Sequence, residues 1–600
     1  MRTNRSTMAG LMSLALPAAV LAVAVANTAP AASSSSSFFV WHITDVHVDP
    51  WYTVGSNAVG CFCETGESCP RKGAHCKHEH VHEHQAPPWG SSEGNCATPR
   101  ITFSSAVDFM RKTKATPLVY FTGDFAQAGA SVACGPRETA KQQVLDIMAW
   151  DWGSIKAQLP AAKVLGSLGN HDSVPGDVFY GGNENGNGSQ SWLYNNLTGL
   201  WGADVGPGGL GTLKRGGYFS TVAAPNLTVI SLNVNYWVHM NSAAVAPAGE
   251  AEGRRMMAWL EAELVTAEAG GHAVHILGHQ PPTDKDMQPA WIDGYWPQYT
   301  ALCERFKRSI QGHFYGHIHV DKWTLTRACR EGPAPPPRPA SGYVETRGGI
   351  RWCSGGGNYK PPANVFNTSL DGLCPLVPTG WDADRAAAEA EAVCTAAGKG
   401  CAGFTLYMHN TSSQIPREAC FRTKTCSSKP ASPGSTTRCY AKWEDQPNTT
   451  RPTICDGAAS TVLIPGPSLT EGYPATNPAL RLLEFDSATY ELLDMHTYTA
   501  DLHAANRAGS HLAWELEYSF KSEFDMPDLS ARSFELLAAR LAAPAGDSAW
   551  EKYRGDGNGC LYVGGYSRAG APFPPKDPTE ACDGTCRASM VAELNATMLV

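Results

Sequence analysis

The chain has no surplus of positive charge: its 600 residues carry 47 Lys and Arg against 56 Asp and Glu, a formal net charge of -9. Such a balance offers no broad basic field for a phosphate backbone, and it excludes a nucleic-acid polymer as the expected partner. After the first thirty-odd residues there is also no apolar run long enough to cross a bilayer. Cysteine is missing from that same opening stretch, and all 19 cysteines follow it. A content this high argues against a reducing cytosol and predicts a disulfide framework. The odd count leaves at least one thiol unpaired or paired outside the chain.

What is present begins with Arg2 and Arg5, an apolar run from Met8 to Val25, and small residues at Ala26, Ala29 and Ala32. This pattern reads as a signal peptide over 1–32, with a membrane anchor as the alternative. Sequons at Asn187, Asn196, Asn226, Asn367, Asn410, Asn448 and Asn595 point the same way. The expected address is secreted or lumenal: extracellular, lysosomal or vacuolar.

Short apolar runs recur at Phe38 to Thr44, Leu118 to Thr122, Lys163 to Leu168, Leu227 to Leu232 and Ala273 to Leu277, each ending in polar sequence. Between them, Val144, Ile147, Met148, Trp152 and Ile155, and then Met256, Met257, Leu260 and Leu264, follow helical spacing. Strand and helix in alternation predict a layered α/β core over 38–326. From Arg327 the sequence turns Pro-rich and then Cys-dense, which reads as an insertion over 327–457. Strand-like sequence resumes at Ser460 to Ile464 and Ala479 to Phe485, so 458–505 is expected to complete the core. The remaining 506–600 reads as a helical, disulfide-bearing extension, with helices expected around Leu512 to Phe520 and Ser533 to Leu541.

Five motifs stand where predicted strands run out: Asp45-Val46-His47, Gly123-Asp124, Gly169-Asn170-His171-Asp172, Gly278-His279 and Gly316-His317-Ile318-His319. The carboxyl ends of strands in an open α/β sheet converge on one rim, so these residues can meet there. Two carboxylates, an amide and several imidazoles suit a pair of divalent ions, with zinc first and iron or manganese as alternatives. Two ions sharing one site suit hydrolysis at phosphorus. Taken singly, each motif has a plain structural explanation; their order along the chain is what carries the signal.

The ordered set is similar to the calcineurin-like metallophosphoesterases. That resemblance implies a double-sheet sandwich flanked by helices, with Asp45, His47, Asp124 and His319 around one metal and Asp124, Asn170, His279 and His317 around the other. It further implies that His171 protonates the leaving oxygen. Asp172 is expected to orient that imidazole, with a helix N-cap as its structural alternative. The stretches HITDVHVDPWY, WGSSEGNCATP, ILGHQPP, QGHFYGHIHVD and PSLTEGYPATNPALRLLEFD resemble the acid sphingomyelinase-like subfamily. Residues 371–445 of the insertion, with Cys394, Cys401, Cys420, Cys426 and Cys439, resemble an apple/PAN-type module, which implies a glycan or protein ligand.

Two departures bear on substrate. Where the subfamily places a phosphate-touching histidine, four residues beyond the bridging aspartate, this chain has Ala128. Only about a dozen residues separate the apolar run ending at Val25 from the first strand, which leaves no room there for a lipid-presenting saposin module. The expected substrates are therefore phosphodiesters of the sphingomyelin, choline or nucleotide type, small or phospholipid, the last with peripheral membrane contact. An endopolyphosphatase-type hydrolase and a non-catalytic glycan- or protein-binding protein are the competing readings. His75, His78, His80, His82 and His84 lie among cysteines and suggest metal capture, but a disulfide-stapled solvated loop explains them equally well.

Overall fold

The computed structural model describes residues 36–56, 85–91, 97–126, 137–181, 190–283, 290–292, 294–327, 457–470 and 477–542, with isolated elements between 330 and 454. The segment 1–32, the His-rich loop, the Pro-rich run and Ala128 lie outside the described residues.

Twelve strands form two six-stranded sheets. In chain order they are β1 (Ser37–Ile43), β2 (Leu118–Phe121), β3 (Lys163–Gly166), β4 (Phe219–Ala224), β5 (Leu227–Ser231), β6 (Ala273–Leu277), β7 (Ile310–Tyr315), β8 (Thr324–Arg327), β9 (Ala459–Pro465), β10 (Ala479–Asp486), β11 (Leu492–Ala500) and β12 (Trp514–Ser519). The first sheet runs β12-β11-β10-β1-β2-β3 and the second β8-β9-β7-β6-β5-β4. Strands β1, β2 and β3 are parallel to one another, as are β5, β6, β7 and β9. The central parallel strands are covered on both faces, which is why Leu118–Phe121 and Leu227–Ser231 are buried at every residue rather than alternately.

The sheets pack face to face. Tyr120 of β2 reaches across to His275 of β6 at 2.7 Å, and His275 lies against Phe314 of β7 and Phe485 of β10. The helices Arg100–Thr113 and Arg137–Gln158 pack beside the first sheet, and Pro247–Ala269 and Tyr295–Arg305 beside the second. Val144, Ile147, Met148, Trp152 and Ile155 are all buried, as are Met256, Met257, Leu260 and Leu264. Pro247 opens its helix at a position where the missing N–H costs nothing. A separate five-stranded sheet and the helix Ala383–Ala396 stand between β8 and β9 in the chain, and Cys394 on that helix is disulfide-bonded. Cys303 is buried and free, one unpaired thiol of the kind an odd count requires.

One expectation needs correction. Leu512 to Phe520 is not a helix: Trp514–Ser519 is an edge strand paired with β11, and only Phe520–Phe524 is helical. The reason is visible in the residues, because Leu512, Trp514, Leu516, Tyr518 and Phe520 alternate with polar or small ones at the strand period of two. The later helix forms over Ala531–Ala542. No described helix is long and apolar enough to cross a membrane.

The core has a pH signature. Burial pushes His275 down to about 4 and His313 down to about 3, whereas an imidazole of the unfolded chain titrates near ~6.5. Below that pH the unfolded chain binds protons that the folded chain refuses, so stability falls with pH until the folded values are reached. The loss is about 2 kcal/mol per histidine at pH 5. Urea unfolding should show wild-type stability dropping between pH 7 and pH 5, and His313→Gln should flatten that slope. An unchanged slope would remove His313 from the account.

Candidate metal centre

The chain leaves each parallel strand in a tight turn, and these turns carry the site. Asp45, His47, Asp124, His317 and His319 have left-handed backbones, with φ of 50°, 43°, 55°, 71° and 60°. Such conformations cost about 1–3 kcal/mol each in a non-glycine residue and persist only where the surroundings over-determine them. Two glycines make the close approach possible. A Cβ on Gly123 would fall 2.6 Å from the Gly169 nitrogen, and one on Gly169 would fall 2.0 Å from Asp124 Oδ1.

The turns bring seven side chains into one pocket. Asp45, His47 and His319 form one group of facing donor atoms, and Asp124, His279 and His317 form another, the atoms of each lying within 4.8 Å of one another. The groups adjoin: Asp124 Oδ2 is 3.2 Å from His279 Nε2 and 3.5 Å from His47 Nε2. Asn170 Oδ1 lies 3.0 Å from His279 Nε2 and 2.9 Å from His317 Nδ1. His171 stands at the edge, its side chain 24% exposed and its Nε2 4.0 Å from Asp124 Oδ2.

A surrounding layer fixes these groups. His47 Nδ1 donates to the Ala126 carbonyl at 3.1 Å and His279 Nδ1 to the Thr122 carbonyl at 2.7 Å, which turns each Nε2 toward the pocket. The Asn170 amide donates to Asp177 Oδ1 at 2.7 Å, so its oxygen must point inward. Thr44 donates to Asp45 Oδ2 at 2.7 Å, and the His317 backbone N–H donates to the same carboxylate at 2.8 Å. Sequence reasoning missed Thr44 and Asp177. Each sits within seven residues of a motif, but nothing in a lone sequence marks its partner.

Asp172 behaves differently from expectation. Its oxygens accept from the backbone N–H groups of Asp124 at 3.1 Å, Phe125 at 2.9 Å, Ala126 at 3.3 Å and Gly169 at 2.8 Å. Both oxygens are thereby occupied, and no hydrogen bond joins them to the His171 ring among the described contacts. These contacts tie the carboxylate to the turn that presents Asp124. Burial and the neighbouring Asp124 push it up to about 7, against the pull of these amides.

The electrostatics ask for cations. Burial alone would raise Asp45 and Asp124, yet the facing imidazoles hold both well below the usual carboxylate range. His279 responds to the two carboxylates by rising to about 9 despite its burial, while burial keeps His47 at about 4 and His317 at about 3. Among the described ion pairs, no Lys or Arg offsets Asp45 or Asp124. Two buried carboxylates, an amide oxygen and four imidazoles are the nitrogen and oxygen donors that borderline divalent ions take, and the residues fit two such ions.

Comparison with known proteins agrees with this geometry. Residues 40–321 match the calcineurin-like phosphoesterase family, and residues 460–555 match the acid sphingomyelin phosphodiesterase C-terminal region. The chain is 24% identical over 511 residues to acid sphingomyelinase-like phosphodiesterase 3b of Homo sapiens, covering 84% of this chain and 79% of that protein. It is 29% identical over 347 residues to the sphingomyelin phosphodiesterase of Bos taurus, covering 54% of this chain and 50% of the relative. A cyclic GMP-AMP phosphodiesterase of Homo sapiens is 25% identical over 288 residues, covering 47% of this chain and 57% of that protein. The chain thus spans about half the length of the bovine enzyme. Fold and site are those of a metal-dependent phosphoric ester hydrolase. Within that class, the matches at both ends of the chain support an acid sphingomyelinase-like metallophosphoesterase.

If Asp172 clamps the Asp124 turn, Asp172→Asn should turn an amide donor toward N–H groups and loosen the site. Metal content after dialysis against a weak chelator should fall, with affinity down about 10–100-fold. Wild-type retention of metal would assign those amide contacts no role in the centre.

Proposed function

We propose that the chain is a secreted or lumenal phosphodiesterase with two zinc ions, cleaving sphingomyelin-like or other choline- and nucleotide-containing phosphodiesters. The observation that carries this reading is the adjoining of the two donor groups around Asp124. Asp45, His47, Asp124 and His319 would hold one ion, and Asp124, Asn170, His279 and His317 the other, with Asp124 between them. A pair of divalent ions, when bound, supplies an acidified water and positive charge for the phosphoryl oxygens.

The chain's residues do the rest. His171 stands outside both donor groups, with a side chain 24% exposed and its Nε2 4.0 Å from the Asp124 carboxylate, which suits it to hand a proton to the leaving oxygen. The residues that hold the metals keep their lone pairs aimed by the Thr122, Ala126 and Asp177 contacts, so little rearrangement is needed when a phosphodiester arrives. The relatives' names support both lipid and nucleotide esters as substrates, and Ala128 in place of a phosphate-touching histidine bears on which of them turns over faster.

In the same reading, 1–32 is removed as a signal peptide and disulfides staple the segment 327–457. That segment interrupts the core, whose strands resume at β9, and its apple/PAN-like part takes a glycan or protein ligand. Asn196 and Asn226 are both exposed, as sites of N-glycosylation must be. Phospholipid substrates would be met by peripheral contact with a membrane surface.

The test is a purified enzyme, stripped and refilled with zinc or manganese, assayed on sphingomyelin, CDP-choline, a cyclic dinucleotide and polyphosphate. Turnover of the diesters is expected. Preference for polyphosphate, or no turnover at all with metals bound, would replace this reading with one of its rivals. His171→Ala should keep two metal equivalents while kcat falls about 10²–10⁴-fold. Full activity in that variant would remove His171 from the proton-donor role.

A further inference from the structure

Arg481 is the largest buried cation of the described core, fully buried on β10 opposite His42 of β1. Its Nη2 faces the carboxylate of Asp321, itself only 4% exposed. Its Nη1 donates to the Pro465 carbonyl at the end of β9 at 3.4 Å, and its Nε to Thr497 Oγ1 of β11 at 3.5 Å. The Tyr518 hydroxyl of β12 donates to the same Asp321 oxygen, and Thr497 Oγ1 lies 3.4 Å from it. Three strands of the first sheet therefore converge on one carboxylate, and that carboxylate ends the turn leaving β7 in the second sheet.

The turn in question is Gly316 to Asp321, which carries two site histidines with left-handed backbones, His317 and His319, two positions apart. Its beginning is tied down: the Gly316 N–H donates to the His279 carbonyl at 2.8 Å, and the His317 N–H to Asp45. A strained turn keeps its shape only if its far end is held as well. Asp321, two residues beyond His319, is that far end. A buried ion pair is a weak source of net stability, so stability alone is a poor reason for placing one here.

We propose that Arg481 is a positioning residue for the metal centre: its ion pair with Asp321 holds the turn so that His319 Nε2 stays aimed at Asp45, 3.3 Å away. The inference rests on the two-metal reading of the pocket. It gives the C-terminal segment, separated from the motifs by well over a hundred residues, a direct part in building the centre.

The experiment uses the full-length protein, stripped with a chelator and titrated with Zn²⁺ against a chromophoric competitor. Wild type should bind two equivalents. Arg481→Met should weaken one of them about 10–100-fold and leave the other unchanged, and the weakened one should be that lost in His319→Ala. Arg481→Lys should recover part of the affinity. Wild-type binding of both equivalents by Arg481→Met overturns the proposal, and so does equal weakening of both, which a general structural role predicts. Failure of the wild type to bind two equivalents would instead refute the two-metal reading. Should Arg481→Met not fold, Tyr518→Phe decides: it removes a neutral contact to the same carboxylate and should weaken the same equivalent by a smaller factor, while unchanged binding would overturn the proposal.

Discussion

Asp45 and Asp124 are buried side by side, 0% and 1% exposed, and no Lys or Arg among the described ion pairs neutralises them. Burying like charges together is among the most expensive things a fold can do unless positive charge is brought in to match. Much of the local architecture answers to that constraint. Imidazoles rather than ammonium groups face the carboxylates, carbonyls at Thr122 and Ala126 fix the ring tautomers, and Asp177 fixes the one amide. The result is a pocket that is electrically incomplete without cations and geometrically complete before they arrive.

The two sheets supply the rigidity that such a pocket needs. Each contributes turns from the ends of its parallel strands, and the sheets are locked face to face by Tyr120, His275, Phe314 and Phe485. Since the donors come from both sheets, sliding one against the other would pull Asp45 and Asp124 away from His279 and His317. Ridges of well-packed aromatic side chains resist that motion because interiors packed to crystal-like density have few alternative arrangements.

The motifs were legible because they sit at strand ends, where a short cluster of acid, amide and histidine side chains is conspicuous against an apolar run. Asp45, His47, Asp124, Asn170, His279, His317 and His319 could all be named from that pattern. The role of Asp172 could not, since which groups its oxygens meet depends on how the Asp124 turn curls back over it. Thr44 and Asp177 carry no signal of their own for the same reason. Where a helix is expected over Leu512 to Phe520 the chain forms the strand Trp514–Ser519, because its large apolar side chains recur at every second residue.

The order in which the strands join the sheets bears on how the molecule can be made. Strand β1 pairs on one side with β10, and β9 separates β7 from β8, so β9 and β10 occupy positions inside the two sheets rather than at their edges. A polypeptide emerging from its amino end therefore carries open strand edges until more than three-quarters of it has been synthesised. Contacts this remote in sequence close slowly and leave apolar edges exposed in the meantime. Biogenesis of this protein is thereby tied to late closure, with a need for shielding of the early half that a fold built from local pairings would not have.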